Sequence, residues 1–130
     1  VEEMLKVAYV QKNECVIDLG SGDGRIVCAA APLCLMSAGV EISPVLYLIS
    51  KWKVWRKGLT NVVLMRDSLW NIDLSRYDVV FIYFIPHWMN KLEKKIKKEM
   101  KSGSRIISHA FAFTNWQEEK KCGTIRVYKV

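Results

Sequence analysis

The chain of 130 residues is long enough to fold as one domain that buries roughly two-thirds of the surface its unfolded form exposes. Its 51% hydrophobic content excludes intrinsic disorder, and its three Pro and seven Gly exclude collagen-like or linker-like sequence. A net charge of +7 favours acidic partners or nucleic acid, but it serves solubility equally well. We therefore expect one globular domain over residues 1–130.

Short apolar runs that predict strands alternate along the chain with segments of helical spacing. The predicted helices are Val1–Val7, Arg25–Ala31 (stopped by Pro32), 43–58 and 89–103. The predicted strands are Cys15–Leu19, Met36–Ile42, Val62–Met65, Val79–Phe84, Arg105–Phe113, Thr124–Val130 and a short segment near 117–121. This order predicts a doubly wound α/β fold that ends in a β-hairpin.

The helix predicted over residues 43–58 has clear end signals. Ser43 is a good N-cap, Pro44 suits the first helical position, and Gly58 closes the helix. Apolar residues recur within it at helical spacing, namely Leu48, Ile49, Trp52 and Trp55. Although Lys and Arg residues lie between them, we expect the tryptophans Trp52 and Trp55 to pack in the core rather than to stack on bases.

Parallel α/β sheets bind ligands at the carboxyl ends of their strands. The residues predicted at those ends are Asp18–Gly24, Glu41, Asp67–Ser68 and Tyr83–Pro86. A carboxylate placed like Glu41 can accept both hydroxyls of a ribose, and Asp67 would then lie near an adenine edge. The three strand ends together predict a nucleoside site.

The run Gly20-Ser21-Gly22-Asp23-Gly24 follows a predicted strand and opens a predicted helix. Glycines there permit positive φ and close approach of a ligand, and the helix N-terminus offers unpaired N–H groups. The dinucleotide motif needs a glycine at position 25, which is Arg, and there is no P-loop sequence. A plain tight turn is the alternative interpretation.

The segment Val16–Val27 resembles motif I of the Rossmann-like S-adenosylmethionine-dependent methyltransferases. Other segments are similar to one subgroup, the ATP synthase c-subunit lysine methyltransferases and their archaeal protein lysine methyltransferase relatives. These segments are Gly39–Pro44, Asp67–Trp70, Pro86 with Leu92–Lys95, and Ser108–Phe111 with Trp116. The resemblance covers nearly the whole chain, although Ser43 stands where many members have Asn. It implies a seven-stranded sheet with the strand order 3-2-1-4-5-7-6.

The resemblance also implies S-adenosylmethionine as cofactor and lysine-bearing proteins as substrates. The cofactor-binding residues would be Asp18, Gly20, Ser21, Gly22, Gly24, Glu41, Asp67 and Ser68. An aromatic channel would favour the neutral lysine while tolerating its cation. The predicted catalytic residues are Tyr83, His109 and Trp116, with Phe84, Trp88, Phe111 and Phe113 as further aromatic candidates that could equally be core.

Two observations bear on the acceptor. The segment Tyr83-Phe84-Ile85-Pro86 lacks the (Asp/Asn)-Pro-Pro-(Tyr/Phe) run typical of enzymes that methylate planar nitrogens, which favours an aliphatic amine. His109 or His87 could act as a general base, but either could simply be packed or solvated. An RNA or small-molecule methyltransferase and a non-catalytic cofactor-binding protein remain alternatives. Arg25 at the third glycine position disfavours NAD binding.

The four cysteines, at positions 15, 28, 34 and 122, include no CxxC pair, and no Cys/His cluster has zinc-site spacing. We therefore expect reduced thiols, no metal and a cytoplasmic protein. No apolar run reaches the roughly 18 residues that span a bilayer. No signal peptide is evident either, so we expect no membrane segment.

Overall fold

The computed structural model describes residues 1–83, 86–110 and 112–130. The predictions for Phe84, Ile85 and Phe111 lie outside the described residues. The helices are α1 (Glu2–Ala8), α2 (Arg25–Ala30), α3 (Pro44–Arg56) and α4 (Met89–Glu99). The strands are β1 (Cys15–Leu19), β2 (Met36–Val40), β3 (Val62–Met65), β4 (Val79–Ile82), β5 (Arg105–His109), β6 (Lys120–Cys122) and β7 (Ile125–Lys129).

The strands form a seven-stranded sheet in the order β3-β2-β1-β4-β5-β7-β6, which confirms the predicted topology. Strands β1 to β5 are parallel, and β7 runs antiparallel to both β5 and β6. Because β1 lies in the middle with β2 and β4 beside it, the residues that follow these strands meet at one edge. The register pairs Asp18 with Gly39 on one side and with Phe81 on the other.

Apolar side chains cover both faces of the sheet. Helices α1 and α2 pack on one face, where Met4, Ala8 and Ile26 are buried. Helix α4 packs on the opposite face through an apolar stripe, and its residues are Met89, Leu92, Ile96 and Met100. This stripe confirms the helical spacing predicted from the sequence.

Two predicted strands extend beyond their observed ends. Strand β2 ends at Val40 rather than Ile42, and β5 ends at His109 rather than Phe113. At the end of β5, Ala110 has a left-handed φ of 72°, which breaks the extended conformation. The apolar composition continues past these points, so it could not mark where the chain leaves the sheet.

The prediction that Trp52 and Trp55 lie in the core is wrong. Leu48, Trp52 and Trp55 are exposed, and Ser50 is the buried residue of this helix. Helix α3 contacts α2 and β3 through a narrow inner face. Because α3 is apolar on several sides, periodicity could not identify which side faces the sheet.

The four cysteines are free, as expected for reduced thiols. In the part of the chain that the structure describes, none of the helices is both long and apolar enough to cross a bilayer. The cytoplasmic location stays a prediction.

Candidate active site

The loop after β1 turns sharply at glycines with positive φ. Gly20 has φ 78° and Gly22 has φ 58°, values that other residues rarely adopt. The N–H groups of Gly20 and Ser21 donate to the Val40 carbonyl at 2.9 and 2.8 Å, which fixes the loop to the end of β2. A Cβ at Gly20 or Gly22 would meet no atom within 4 Å. The glycines therefore serve the backbone conformation, and open space remains for a ligand.

Helix α3 packs closely on this loop through Ser50. The Ser50 hydroxyl donates to the Gly22 carbonyl at 3.0 Å, and a Cβ at Gly24 would lie only 2.9 Å from its oxygen. A larger residue at either position would push the helix away from the loop. Ser50 was not among the predicted site residues. Its signal in the sequence was a small polar residue within an apolar helix, which indicates a side that faces another segment.

Glu41 connects the glycine loop to the start of α3. Its Oε1 accepts a hydrogen bond from the Gly22 N–H at 2.8 Å, and its Oε2 accepts one from the Ser43 N–H at 2.9 Å. A carboxylate has about four acceptor positions, so each oxygen can accept a further hydrogen bond. Two adjacent ribose hydroxyls are donors of the right number and spacing for this group.

Asp18 is a buried carboxyl group beside the loop. The residue is only 3% exposed, and its Oδ1 has no hydrogen-bond partner among the described residues. Burial, with a smaller contribution from the negative charge of Glu41, raises the pKa of Asp18 from 3.8 to about 7. Leaving such a group unpaired is costly, and a ligand that donates to it would remove that cost.

Asp18 and the glycine loop line a cleft of about 570 Å³, whereas Glu41 lies behind the loop and does not line this cleft. Tyr83 and His109 form its far wall, with ring centroids 4.6 Å apart and planes within 7° of parallel. The His109 Nε2 lies 3.2 Å from the Thr124 hydroxyl oxygen, because the β5–β7 pairing brings these residues together. The structure thus brings Tyr83 and His109 to the same cleft as Asp18. Sequence analysis missed Thr124, since the contact depends on the hairpin register.

Asp67 and Ser68 lie beyond the end of β3, outside this cleft. The end of β3 is next to Glu41, whose N–H donates to the Met65 carbonyl at 3.0 Å. Asp67 Oδ1 accepts from Asn71 Nδ2 at 2.9 Å and from the Ser68 N–H at 2.7 Å. These contacts, first that with Asn71, lower the pKa of Asp67. The adenine contact of Asp67 and Ser68 stays a prediction, supported by the position of the end of β3 beside Glu41.

The structure does not bring Trp116 to the cleft. Its ring packs against Phe113 and Tyr128, with centroids 5.2 and 5.3 Å away, and the Lys97 Nζ lies 4.7 Å from its centroid. These neighbours belong to the α4 face of the sheet. This placement gives no support to the predicted catalytic role of Trp116. The sequence could not show this, because an isolated tryptophan in a loop does not reveal the face of the sheet on which it packs.

The site residues fit S-adenosylmethionine on structural grounds. The partnerless Asp18 oxygen suits the cationic amino group of the methionine part, and Glu41 suits a ribose. The open space beside Gly20 and Gly22 lets a ligand approach the backbone. Among the described residues, no cluster of three His, Cys, Asp or Glu side chains could hold a metal ion.

We expect Gly22→Val to weaken binding of S-adenosylhomocysteine about tenfold, because the valine side chain would enter the open space left for the ligand. The substitution should also lower the free energy of unfolding by about 1–2 kcal/mol, because L-residues are strained at φ 58°. Gly58→Val is the matched control, since Gly58 has φ 65° with equally open surroundings but ends α3 away from the cleft. Calorimetric titration and urea unfolding provide the two measurements. Equal binding by both variants would mean that the loop is only a structural turn.

The chain is similar to known methyltransferases. Residues 18–120 match the family described as the ANTKMT methyltransferase domain. The chain is 41% identical over 117 residues to an ATP synthase c-subunit lysine N-methyltransferase of Xenopus laevis, covering 89% of this chain and 51% of that protein. It is 30% identical over 123 residues to a protein-lysine N-methyltransferase of Saccharolobus islandicus, covering 92% of this chain and 76% of the relative.

Among solved structures, an RNA methyltransferase from Salinibacter ruber in complex with S-adenosyl-L-homocysteine is similar. The TM-score is 0.89 at 29% identity, and the match covers 98% of this chain and 86% of that one. The chain spans about half the length of the vertebrate ATP synthase c-subunit lysine N-methyltransferases that it matches.

Proposed function

The chain belongs to the ANTKMT methyltransferase domain family, and from this premise we propose that it transfers a methyl group from S-adenosylmethionine to the ε-amine of a lysine in a protein substrate. The observation that carries the proposal is the convergence in one cleft of the buried Asp18, the glycine loop and the Tyr83–His109 pair. The names of the animal and archaeal relatives favour the lysine acceptor.

The chain's own residues would bind and orient the cofactor. S-adenosylmethionine supplies a methyl group on a positively charged sulfur, which is a strong electrophile. Asp18 would accept hydrogen bonds from the amino group of its methionine part, while Glu41 would accept the ribose hydroxyls. Since Glu41 also accepts a hydrogen bond from the Gly22 N–H, one carboxylate would position both the loop and the ribose. Fixed positioning of this kind supplies most of the catalysis that methyl transfer needs.

Tyr83 and His109 would form the wall against which the lysine side chain lies. The stacked rings restrain each other, and Thr124 restrains His109 from the other side. An aromatic wall favours the neutral amine by excluding water and tolerates the approaching ammonium group through its π face. Only the neutral amine attacks, so the lysine would lose a proton to solvent before its nitrogen bonds to the methyl carbon, and the carbon–sulfur bond would break to leave S-adenosylhomocysteine.

We expect the rate of methyl transfer to rise over roughly pH 7 to 10, because a free lysine amine has a pKa near 10.4. His109→Ala should leave this rise in place and reduce the rate only a few-fold, since a wall residue is lost but no base. The measurement is a pH–rate profile with chemistry shown to be rate-limiting. A rise centred near pH 6.5 that disappears in His109→Ala would instead identify His109 as a general base. A flat rate between pH 8 and 10 would contradict a lysine acceptor.

The acceptor is identified by incubating the chain with methyl-labelled cofactor and cell extract. We expect the label in protease-sensitive material as methyllysine, and none when Asp18→Asn replaces the wild type. Absence of label in every fraction despite cofactor binding would favour a non-catalytic cofactor-binding protein.

RNA methylation is the second candidate, because the Salinibacter ruber structure carries that description and the net charge is +7. The same experiment distinguishes the two, since RNA methylation would place the label in nuclease-sensitive material.

A further inference from the structure

Helix α3 carries an apolar stripe on its solvent side. Val45, Leu48, Trp52 and Trp55 follow one another at spacings of three, four and three residues, which places them on one face. They are 65%, 63%, 54% and 77% exposed. Ile49 at the edge of the stripe is also exposed, and so is Ile42 just before the helix. A contiguous exposed apolar surface of this kind marks an interaction site.

Basic residues border this stripe. The Arg56 guanidinium lies 5.4 Å from the Trp52 ring centroid, and the Lys51 Nζ lies 5.3 Å from that of Tyr47. Trp52 also lines a shallow groove of about 550 Å³ with Arg56 and Lys57. Arg56 follows Trp52 by four residues and Lys51 precedes Trp55 by four, so these two cations border the stripe on one surface, and Lys57 lies at the end of the helix.

The basic border has little negative charge to balance it. Asp23 pairs with both Lys53 and Arg25, with N–O distances of 3.0 and 3.2 Å. No ion pair among the described residues joins Lys51, Arg56 or Lys57 to a carboxylate. The surface therefore combines tryptophan, aliphatic side chains and uncompensated positive charge.

We propose that the outer face of α3 binds the surface of a membrane that contains anionic lipids. Tryptophan and aliphatic side chains enter the boundary between headgroups and acyl chains, while Lys and Arg remain with the lipid phosphates. The aliphatic residues favour a membrane over RNA. Nucleic-acid bases stack on aromatic rings, and Val45 and Leu48 have none. The uncompensated cations favour a partner that carries negative charge, such as anionic lipid headgroups, over a purely apolar protein surface.

This placement would bring the cleft close to the bilayer. Leu46 lines the cleft, whereas Leu48, two residues later, lies in the exposed stripe. Ser50 also joins α3 to the glycine loop through the Gly22 carbonyl. Because residues two apart point to opposite sides of a helix, the cleft would lie about one helix diameter, roughly 10 Å, from the lipid surface. The proposal concerns binding alone and does not depend on methyl transfer.

The test is co-sedimentation of the purified chain with vesicles. One set contains phosphatidylcholine alone, and the other contains roughly 30% phosphatidylglycerol, which gives an anionic surface. We expect binding to the anionic vesicles that weakens as NaCl rises from about 0.1 to about 0.5 M. Trp52→Ser combined with Trp55→Ser should reduce the bound-to-free ratio about tenfold or more, because two large apolar side chains no longer enter the bilayer.

Trp88→Ser is the matched control. Trp88 is 53% exposed and precedes α4, on the opposite face of the sheet, so its loss should leave vesicle binding unchanged. Lys51→Glu combined with Arg56→Glu is a second test variant, which should abolish the preference for anionic vesicles without removing an apolar residue. Circular dichroism verifies that each variant is folded.

Several results would overturn the proposal. One is the absence of binding to anionic vesicles by the wild type. Another is equal binding by the wild type, the double tryptophan variant and the charge-reversal variant. Binding of single-stranded RNA, but not of vesicles, that requires Trp52 and Trp55 would assign the surface to RNA. A dimer that dissociates in the tryptophan variant, without vesicle binding, would assign it to a second copy of the chain.

Discussion

Replacing Asp18 with Asn is expected to stabilise the ligand-free chain above pH 7 and to abolish its detectable affinity for S-adenosylhomocysteine. The carboxyl group is buried with an unpaired Oδ1, and burial raises its pKa from 3.8 to about 7. Asparagine has a similar shape but carries no charge, so it removes the cost of burying an anion. It also removes the anionic acceptor that the cationic amino group of the ligand would need.

The sign of the pH dependence follows from the raised pKa. Below pH 3.8 the group is protonated in both the folded and the unfolded chain. Between pH 3.8 and 7 the unfolded chain ionises Asp18 while the folded chain does not, so the free energy of unfolding falls as the pH rises. The full loss, reached above pH 7, is on the order of 4 kcal/mol for a shift of this size.

Urea unfolding at pH 5 and pH 8 tests this expectation. The wild type should lose stability over this interval, and Asp18→Asn should lose less. Asp73→Asn is the control, because Asp73 is an exposed carboxylate outside the cleft and its replacement should not stabilise the chain at pH 8. The same pH dependence in the wild type and Asp18→Asn would assign the loss to another group.

The general architecture could be predicted from the sequence because its main signals are local. An apolar run such as Val79–Ile82 has few alternatives to a buried strand, and a glycine-rich run directly after Leu19 requires a tight turn. The positions of Asp18 and Glu41 then follow from the rule that parallel strands end at one edge of the sheet. The strand order itself came from the family resemblance.

The features that could not be predicted depend on contacts between distant segments. The orientation of α3 depends on how closely Ser50 approaches the glycine loop, and the helix sequence offers two apolar sides to choose from. Trp116 lies against Tyr128 because β7 joins the sheet with the Tyr128 side chain on the α4 face. The contact between His109 and Thr124 likewise depends on the register of β5 and β7. Local periodicity contains none of this information.

Glu41→Ala is expected to weaken binding of S-adenosylhomocysteine by on the order of 2–3 kcal/mol, because hydrogen bonds to a charged group are lost as the ribose hydroxyls desolvate. The loss has a second source in this structure. Glu41 also accepts from the N–H groups of Gly22 and Ser43, at 2.8 and 2.9 Å, so its removal leaves the glycine loop less well fixed. The change in affinity is measured by calorimetric titration with the demethylated product.

Glu41→Gln separates the two sources. Glutamine keeps one acceptor oxygen, so it can still hold one of the two backbone N–H groups, but it brings no negative charge to the ribose hydroxyls. We expect an affinity between those of the wild type and Glu41→Ala, and a free energy of unfolding closer to the wild type. If Glu41→Ala lowers the stability while the affinity for S-adenosylhomocysteine stays unchanged, the carboxylate only supports the loop. The proposed adenine contact of Asp67 and Ser68, which was inferred from the ribose contact of Glu41, would then lose its support.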